Sequence, residues 1–250
     1  MPHTAILRHP ASTFASGITT ANLGQPDYEK ALEQHRAYCA ALRQCGLQLI
    51  LLDPDERYPD GCFVEDTAIV TEELVILCRP GAASRRGEVA AVAEVLAEYR
   101  PLATIKPPGT VDGGDILRVD NHFYIGRSER TNAEGARQLA GILSEGGFTS
   151  SEIPVRSVLH LKTGVTYIGK NTFVVIDEFA GRFPSGQVIR VEEEEAYAVN
   201  CLLANGTVLA PAGFPKVKRQ IAELGCPIIE VEMSEFRKID GGLTCLSLVF

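Results

Sequence analysis

Two stretches of this chain spell the same architecture, and that repetition constrains the fold more than any single residue does. From Asp66 the sequence reads DTAIV-TEE-LVILCRPGAASRRGE, and from Asp115, 49 residues later, it reads DILRV-DNH-FYIGRSERTNAEG. Each is an acid, an apolar strand, a three-residue polar turn, a second strand, an arginine-bearing loop and a helix. Small units repeated at such a period bury their apolar faces by stacking on copies of themselves.

Weaker copies follow. Residues 163–176 (TGVTYIGKNTFVVI) read as strand, Gly-Lys-Asn turn and strand, and residues 200–210 (NCLLANGTVLA) carry the Asn-Gly pair typical of a tight hairpin. A fifth copy is split, with residues 243–249 supplying one strand and residues 4–8 its neighbour. Helical periodicity and capping residues predict helices over 27–45, 85–99, 132–143 with Thr131 as cap, and 216–224 entered through Pro215. Each is followed by an apolar strand: 47–52, 102–106, 151–155 and 228–231. The fourth copy differs, because DEFAGRFPSGQ after Ile176 is too short and too rich in Gly and Pro for a long helix. The expected fold is therefore α/β: a five-bladed, pseudo-symmetric propeller of ββαβ units, closed by the N- and C-terminal strands as one domain over residues 1–250.

Charge and cysteine usage narrow the functional classes. A net charge of -8 offers no basic face to nucleic acid or to an anionic membrane, and suits a cationic small substrate. The seven cysteines include no C-x-x-C pair and, being odd in number, cannot all pair within the chain. With no signal-like N-terminus and no apolar run of membrane length, this points to a reducing compartment, the cytoplasm. Monomer and homodimer are both compatible with the sequence, and neither a cofactor nor a structural metal is expected.

In a pseudo-symmetric ring the starts of the hairpins converge on the axis, and those starts hold the reactive residues. They are Phe63-Val64-Glu65-Asp66, Thr110 to Asp115, Leu159 to Gly164, and Asp240-Gly241-Gly242-Leu243-Thr244-Cys245. Singly, acids cap turns, a histidine between leucines packs in a core, and a cysteine is a small hydrophobe. Jointly they supply a thiol nucleophile at Cys245, a proton carrier at His160 and acids to hold it. The surplus of carboxylates disfavours acyl transfer, whose oxyanion wants donors, and favours a guanidinium, which wants planar acceptors. Arg85 and Arg130 follow their hairpins at similar distances and could hold an amino-acid carboxylate.

The runs FVEDTAIV, GTVDGGDIL, HFYIGRSERTNAEGARQ, LHLKTGVTYI and EFRKIDGGLTCLSLVF resemble the dimethylargininases, a family of the guanidino-group-modifying enzymes. The resemblance spans nearly the whole chain and implies a five-bladed α/β propeller. It also implies roles: Cys245 as nucleophile, His160 as general acid and base, and Asp112 as the acid that orients His160 and touches the guanidinium. Asp66, with Glu65 and Asp240 beside it, becomes the guanidinium acceptor. Asp60, with backbone near Ile18 and Ile239, meets the substrate α-amino group, while Arg85 and Arg130 clamp its carboxylate and Phe63 packs on its stem. The substrate implied is a methylated arginine. Alternatives are a compact arginine deiminase, a hydrolase of another guanidino compound, and a non-catalytic binder of arginine-like amino acids.

Overall fold

The computed structural model describes residues 2–183 and 186–250. The chain runs through β1 (Thr4–Arg8), α1 (Tyr28–Gln44) and β2 (Gln48–Leu52), then β3 (Ala68–Val70), β4 (Val75–Leu77), α2 (Val89–Leu96) and β5 (Leu102–Thr104). Next come β6 (Ile116–Val119), β7 (His122–Arg127), α3 (Ala133–Glu145) and β8 (Thr149–Pro154), followed by the single turn α4 (Leu161–Gly164), β9 (Val165–Tyr167), β10 (Thr172–Val175) and β11 (Gln187–Arg190). The last part holds β12 (Leu202–Ala204), β13 (Thr207–Pro211), α5 (Pro215–Glu223), β14 (Ile228–Val231), α6 (Ser234–Arg237) and β15 (Leu248–Val249).

Among the described residues these strands form five separate three-stranded sheets. The middle strand of each pairs antiparallel with one neighbour and parallel with the other: β4 with β3 and β5, β7 with β6 and β8, β10 with β9 and β11, β13 with β12 and β14. The remaining sheet is built across the chain, β1 pairing antiparallel with β15 and parallel with β2. A parallel return requires a crossover, and α1, α2, α3 and α5 supply it in four of the sheets. In the fourth unit the crossover holds a short 3-10 turn at Asp177–Phe179, as expected from its Gly and Pro content, and Pro184 and Ser185 of that segment lie outside the described residues.

Three local expectations change. The cap of α3 is Asn132, whose side chain accepts from Gly135 N, because Thr131 instead donates to Asp115. The helix expected from residue 85 begins as a 3-10 turn at Ala83–Glu88 before α2. Cys245 sits in another 3-10 turn, Thr244–Leu246, and the extended strand starts only at Leu248.

Each crossover helix buries an apolar stripe. On α1 the buried face includes Ala31, Tyr38 and Leu42, and removing a side chain such as Leu42 from water stabilises the fold by roughly 2 kcal/mol. Tyr38 adds a hydrogen bond between its hydroxyl and Ser247 Oγ, 2.7 Å, which fixes the helix to the segment just after Cys245. No helix among the described residues is long and apolar enough to cross a membrane.

Consecutive units are joined near the hairpin starts by polar bonds. Gly114 N donates to Asp66 Oδ1 at 2.9 Å, Leu161 N to Asp115 Oδ1 at 3.0 Å, and Asn200 Nδ2 to the Lys162 carbonyl at 2.9 Å. Thr244 N then donates to Asn200 Oδ1 at 3.0 Å, and Thr244 Oγ1 to Glu65 Oε2 at 2.8 Å, which leads back to the unit that holds Asp66.

Candidate active site

These links bring the hairpin starts around one cavity. Its lining includes Cys245, His160, Asp66, Asp60, Arg85 and Arg130. Ile18, Phe63, Ile239 and Asp240 line it too, together with Leu159 and Gly241, which lie in the expected hairpin starts but were given no role of their own.

Cys245 has intermediate exposure, and its Sγ receives a bond from Gly242 N at 3.4 Å. The Gly-Gly step before it is required by crowding. A Cβ on Gly241 would lie 2.4 Å from the Phe63 ring, and one on Gly242 would lie 2.5 Å from Asn200 Oδ1. Burial, and then the negative charges of Glu65 and Asp66, push the Cys245 thiol up to about 12. In the free protein at neutral pH this cysteine is a thiol.

His160 follows the opposite rule. Burial alone would discharge it, but Asp66, the bond to Asp112 and the charge of Asp115 prevail and raise it to about 9. Its Nε2 lies 3.0 Å from Asp112 Oδ2. The other Asp112 oxygen accepts from Gly81 N at 2.7 Å, and the residue is fully buried. Asp112 thus stands behind the imidazole, bonded to it and outside the cavity lining.

Asp66 is the carboxylate that faces the cavity beside His160. It is buried, which alone would raise it, yet His160 and Arg85 hold it down to about 2. One oxygen takes Gly114 N and the other takes Arg85 Nη1 at 2.6 Å. Glu65 points elsewhere. It pairs with Lys162 Nζ and accepts from Thr244 Oγ1, and with both it lines a separate cavity of about 580 Å³.

At the other end of the site, Asp60 accepts from Ile18 N at 3.0 and 3.3 Å, and burial raises its carboxyl. Asp240, in a left-handed conformation (φ 60°), accepts from Thr20 N at 2.7 Å, so the segment around Ile18 is pinned to two acids of the cavity. Arg85 is buried among Asp66, Glu88 and the carbonyl of Phe63. The Arg130 guanidinium has no ion-pair partner among the described residues.

The supports of these groups are scarcely visible in the sequence. Asp115 holds Leu161 N, Ser128 Oγ and Thr131 Oγ1 at 3.0, 2.6 and 2.6 Å, fixing the turn that presents His160. Asn200 braces Thr244, next to the nucleophile, and Glu88 braces Arg85. Only Asp115 had a visible signal, its match to Asp66 in the repeat. Asp66, Asp112 and His160 could also bring three ligand atoms around a metal ion, though each already has a protein partner.

Residues 20–246 match the family model described as "N,N dimethylarginine dimethylhydrolase, eukaryotic". The chain is 48% identical to the N(G),N(G)-dimethylarginine dimethylaminohydrolase of Pseudomonas aeruginosa, over 98% of each chain. The structure of a cysteine-to-serine variant of the P. aeruginosa enzyme complexed with citrulline superposes with a TM-score of 0.99, at 47% identity and full coverage of both chains. A histidine-to-glycine dimethylarginine dimethylaminohydrolase bearing an adduct with S-methyl-L-thiocitrulline gives 0.98, at the same identity and coverage.

Proposed function

Since the chain belongs to the dimethylarginine dimethylaminohydrolase family, we propose that it hydrolyses Nω-methylated arginines, releasing citrulline and dimethylamine or methylamine. The observation that carries this reading is one cavity lined by a thiol, an imidazolium and Asp66 together with Asp60, Arg130 and Arg85, the last bonded to Asp66 itself. That set of groups fits a guanidinium joined by a short apolar stem to an α-amino acid. The citrulline complex of the P. aeruginosa enzyme supports it.

The roles follow from the groups. Asp66 accepts N–H bonds from the guanidinium and keeps it cationic and planar. Phe63, Ile18 and Ile239 flank the stem, Asp60 and Asp240 face the cationic groups, and Arg130 with Arg85 meets the carboxylate. Glu65 acts from behind the Cys245 turn. The bound cation makes the nucleophile: at about 4 Å and an effective dielectric near 20, a guanidinium stabilises a thiolate by roughly 4 kcal/mol, about three pK units. The thiol proton passes to solvent, Cys245 Sγ bonds to the guanidinium carbon, and the His160 imidazolium gives its proton to the departing amine as the carbon–nitrogen bond breaks. The S-alkylthiouronium that remains is attacked by water; one water proton returns to neutral His160 and the other restores the Cys245 thiol as the carbon–sulfur bond breaks. Throughout, Asp112 holds His160 through Nε2.

The same reading includes a closed ring. The five sheets act as blades of a single domain over residues 1–250, supported by the β1–β15 pairing and the circuit of bonds from Asp66 through Gly114, Asp115, Asn200 and Thr244 to Glu65. The seven free thiols suit the reducing cytoplasm.

The test is to supply asymmetric dimethylarginine and, separately, arginine, and to quantify citrulline, dimethylamine and ammonia, with Cys245→Ser as control. Citrulline and dimethylamine in equal amounts, abolished by the control, is the expected result. Ammonia from arginine would make this a compact deiminase, and binding without product would make it an amino-acid binder.

A further inference from the structure

Arginine offers five N–H donors, and at Arg85 almost all of them are spent inside the protein. Nε donates to both oxygens of Glu88 at 3.1 and 3.2 Å. Nη2 donates to Glu88 Oε2 at 2.8 Å and to the Phe63 carbonyl at 3.0 Å, and Nη1 gives one hydrogen to Asp66 Oδ2 at 2.6 Å. One Nη1 hydrogen is left for the cavity. Glu88 itself is 2% exposed and does not line that cavity. The 3-10 turn Ala83–Glu88 explains the pair, since residues three apart eclipse on one face of such a turn.

We propose that Glu88 is a positioning residue for the hydrolysis reaction, acting through Arg85 on Asp66 and through Asp66 on His160. The fork on Glu88 fixes the plane of the Arg85 guanidinium, and that plane aims Nη1 at Asp66. Arg85 therefore divides its charge between two carboxylates. With Glu88 neutral, more of that charge falls on Asp66, and Asp66 supports the His160 imidazolium less. The charges facing His160 are Asp66, Asp112 and Asp115; those facing Glu88 are Arg85, Asp60 and Asp66. Burial raises the Glu88 carboxyl to about 7 against the pull of Arg85, so it is ionised where His160 titrates. This proposal rests on the reading of the site as a dimethylarginine hydrolase, but half of its test does not.

That half is an NMR titration of the His160 imidazole, without substrate, in the wild type and in Glu88→Gln and Glu88→Asp. In Glu88→Gln the His160 titration is expected to move down by about one pH unit, and in Glu88→Asp by much less. The second half is kinetics: a roughly tenfold fall in kcat for Glu88→Gln, with KM changed less than about threefold because Arg130 still meets the carboxylate. A folded Glu88→Gln with unmoved His160 titration and unchanged kcat would reduce Glu88 to a packing residue. Should Glu88→Gln fail to fold, Glu88→Asp decides, since its shortened fork predicts a lower kcat at constant KM and an unchanged kcat overturns the idea. If the wild type makes no citrulline, the hydrolase reading fails while the titration still tests the coupling.

Discussion

Gly114 lies against the His160 ring so closely that a Cβ there would come within 2.7 Å of Nδ1 and 3.0 Å of Asp66 Oδ1. The neighbouring Gly113 is equally confined, by the Glu65 carbonyl at 2.0 Å from its would-be Cβ. The Gly-Gly step after Asp112 is thus the floor on which the imidazole rests. Gly114→Ala should lower kcat by about a hundredfold and cost roughly 1–3 kcal/mol of stability by overpacking. Kinetics beside denaturant unfolding would check both; a variant that keeps full activity would show that the ring has room to move.

The two arginines should separate in their effects. Arg85→Ala leaves Asp66 and Glu88 as buried, unpaired carboxylates, so we expect a loss of about 3–5 kcal/mol along with activity. Arg130→Ala removes a guanidinium with no ion pair to lose among the described residues; it should raise KM at least tenfold and change stability by less than about 1 kcal/mol. Equal destabilisation of the two variants would contradict this division.

The titration of His160 sets a pH dependence. Its folded value, about 9, is raised above its ordinary value, so the stabilisation from its charge is complete below about 6.5 and is lost as pH rises through about 9. Activity should fall over the same upper range, because the amine then departs without a proton. Rate profiles and unfolding between pH 6 and 10 would reveal it, and Asp112→Asn should move the fall to lower pH.

Cys245 should discriminate between alkylating agents by their charge. Held as a thiol, it is expected to react slowly with neutral iodoacetamide at pH 7 and much faster with a cationic chloroamidine of similar size, which brings its own positive charge to the sulfur. Equal rates, after correction for intrinsic reactivity, would mean that the thiolate exists before anything binds.

The far-side pair Glu65–Lys162 gives a double-mutant test. Each partner is largely buried, so Glu65→Gln or Lys162→Met alone should cost about 3 kcal/mol, and the double variant less than the sum. Additive losses would mean that the two groups do not stabilise one another.

Much of this was legible in the chain, because strands and turns of a repeated unit are local. The hairpins after Asp66 and Asp115, the Asn205–Gly206 turn, and α1 from its Asp27 cap to Cys45 all lie where pattern and propensity place them. Cys245, His160 and Asp66, from three different hairpin starts, line one cavity. What failed was decided by contacts between residues distant in sequence. Thr131 is a good cap by composition, yet Asp115 claims its hydroxyl and Asn132 takes the helix. Glu65 stands next to Asp66 in sequence, yet Lys162 and Thr244 draw it to the opposite side. Asn200 and Gly81 carry no local pattern of support, since their partners come from folding.

The pairing of β1 with β15 joins Ala5 to Val249 and Ile6 to Leu248 across nearly the whole chain. During synthesis β1 emerges first, and its antiparallel partner emerges only after the nucleophile itself has been made. Until then the first strand has β2 on one side and an open edge on the other, a state exposed to pairing with neighbouring nascent chains. A contact of such long range also carries a large share of the loop-closure entropy, so completing it should be the slow event in folding. Catalytic competence would then arrive in one step, once β15 has paired with β1.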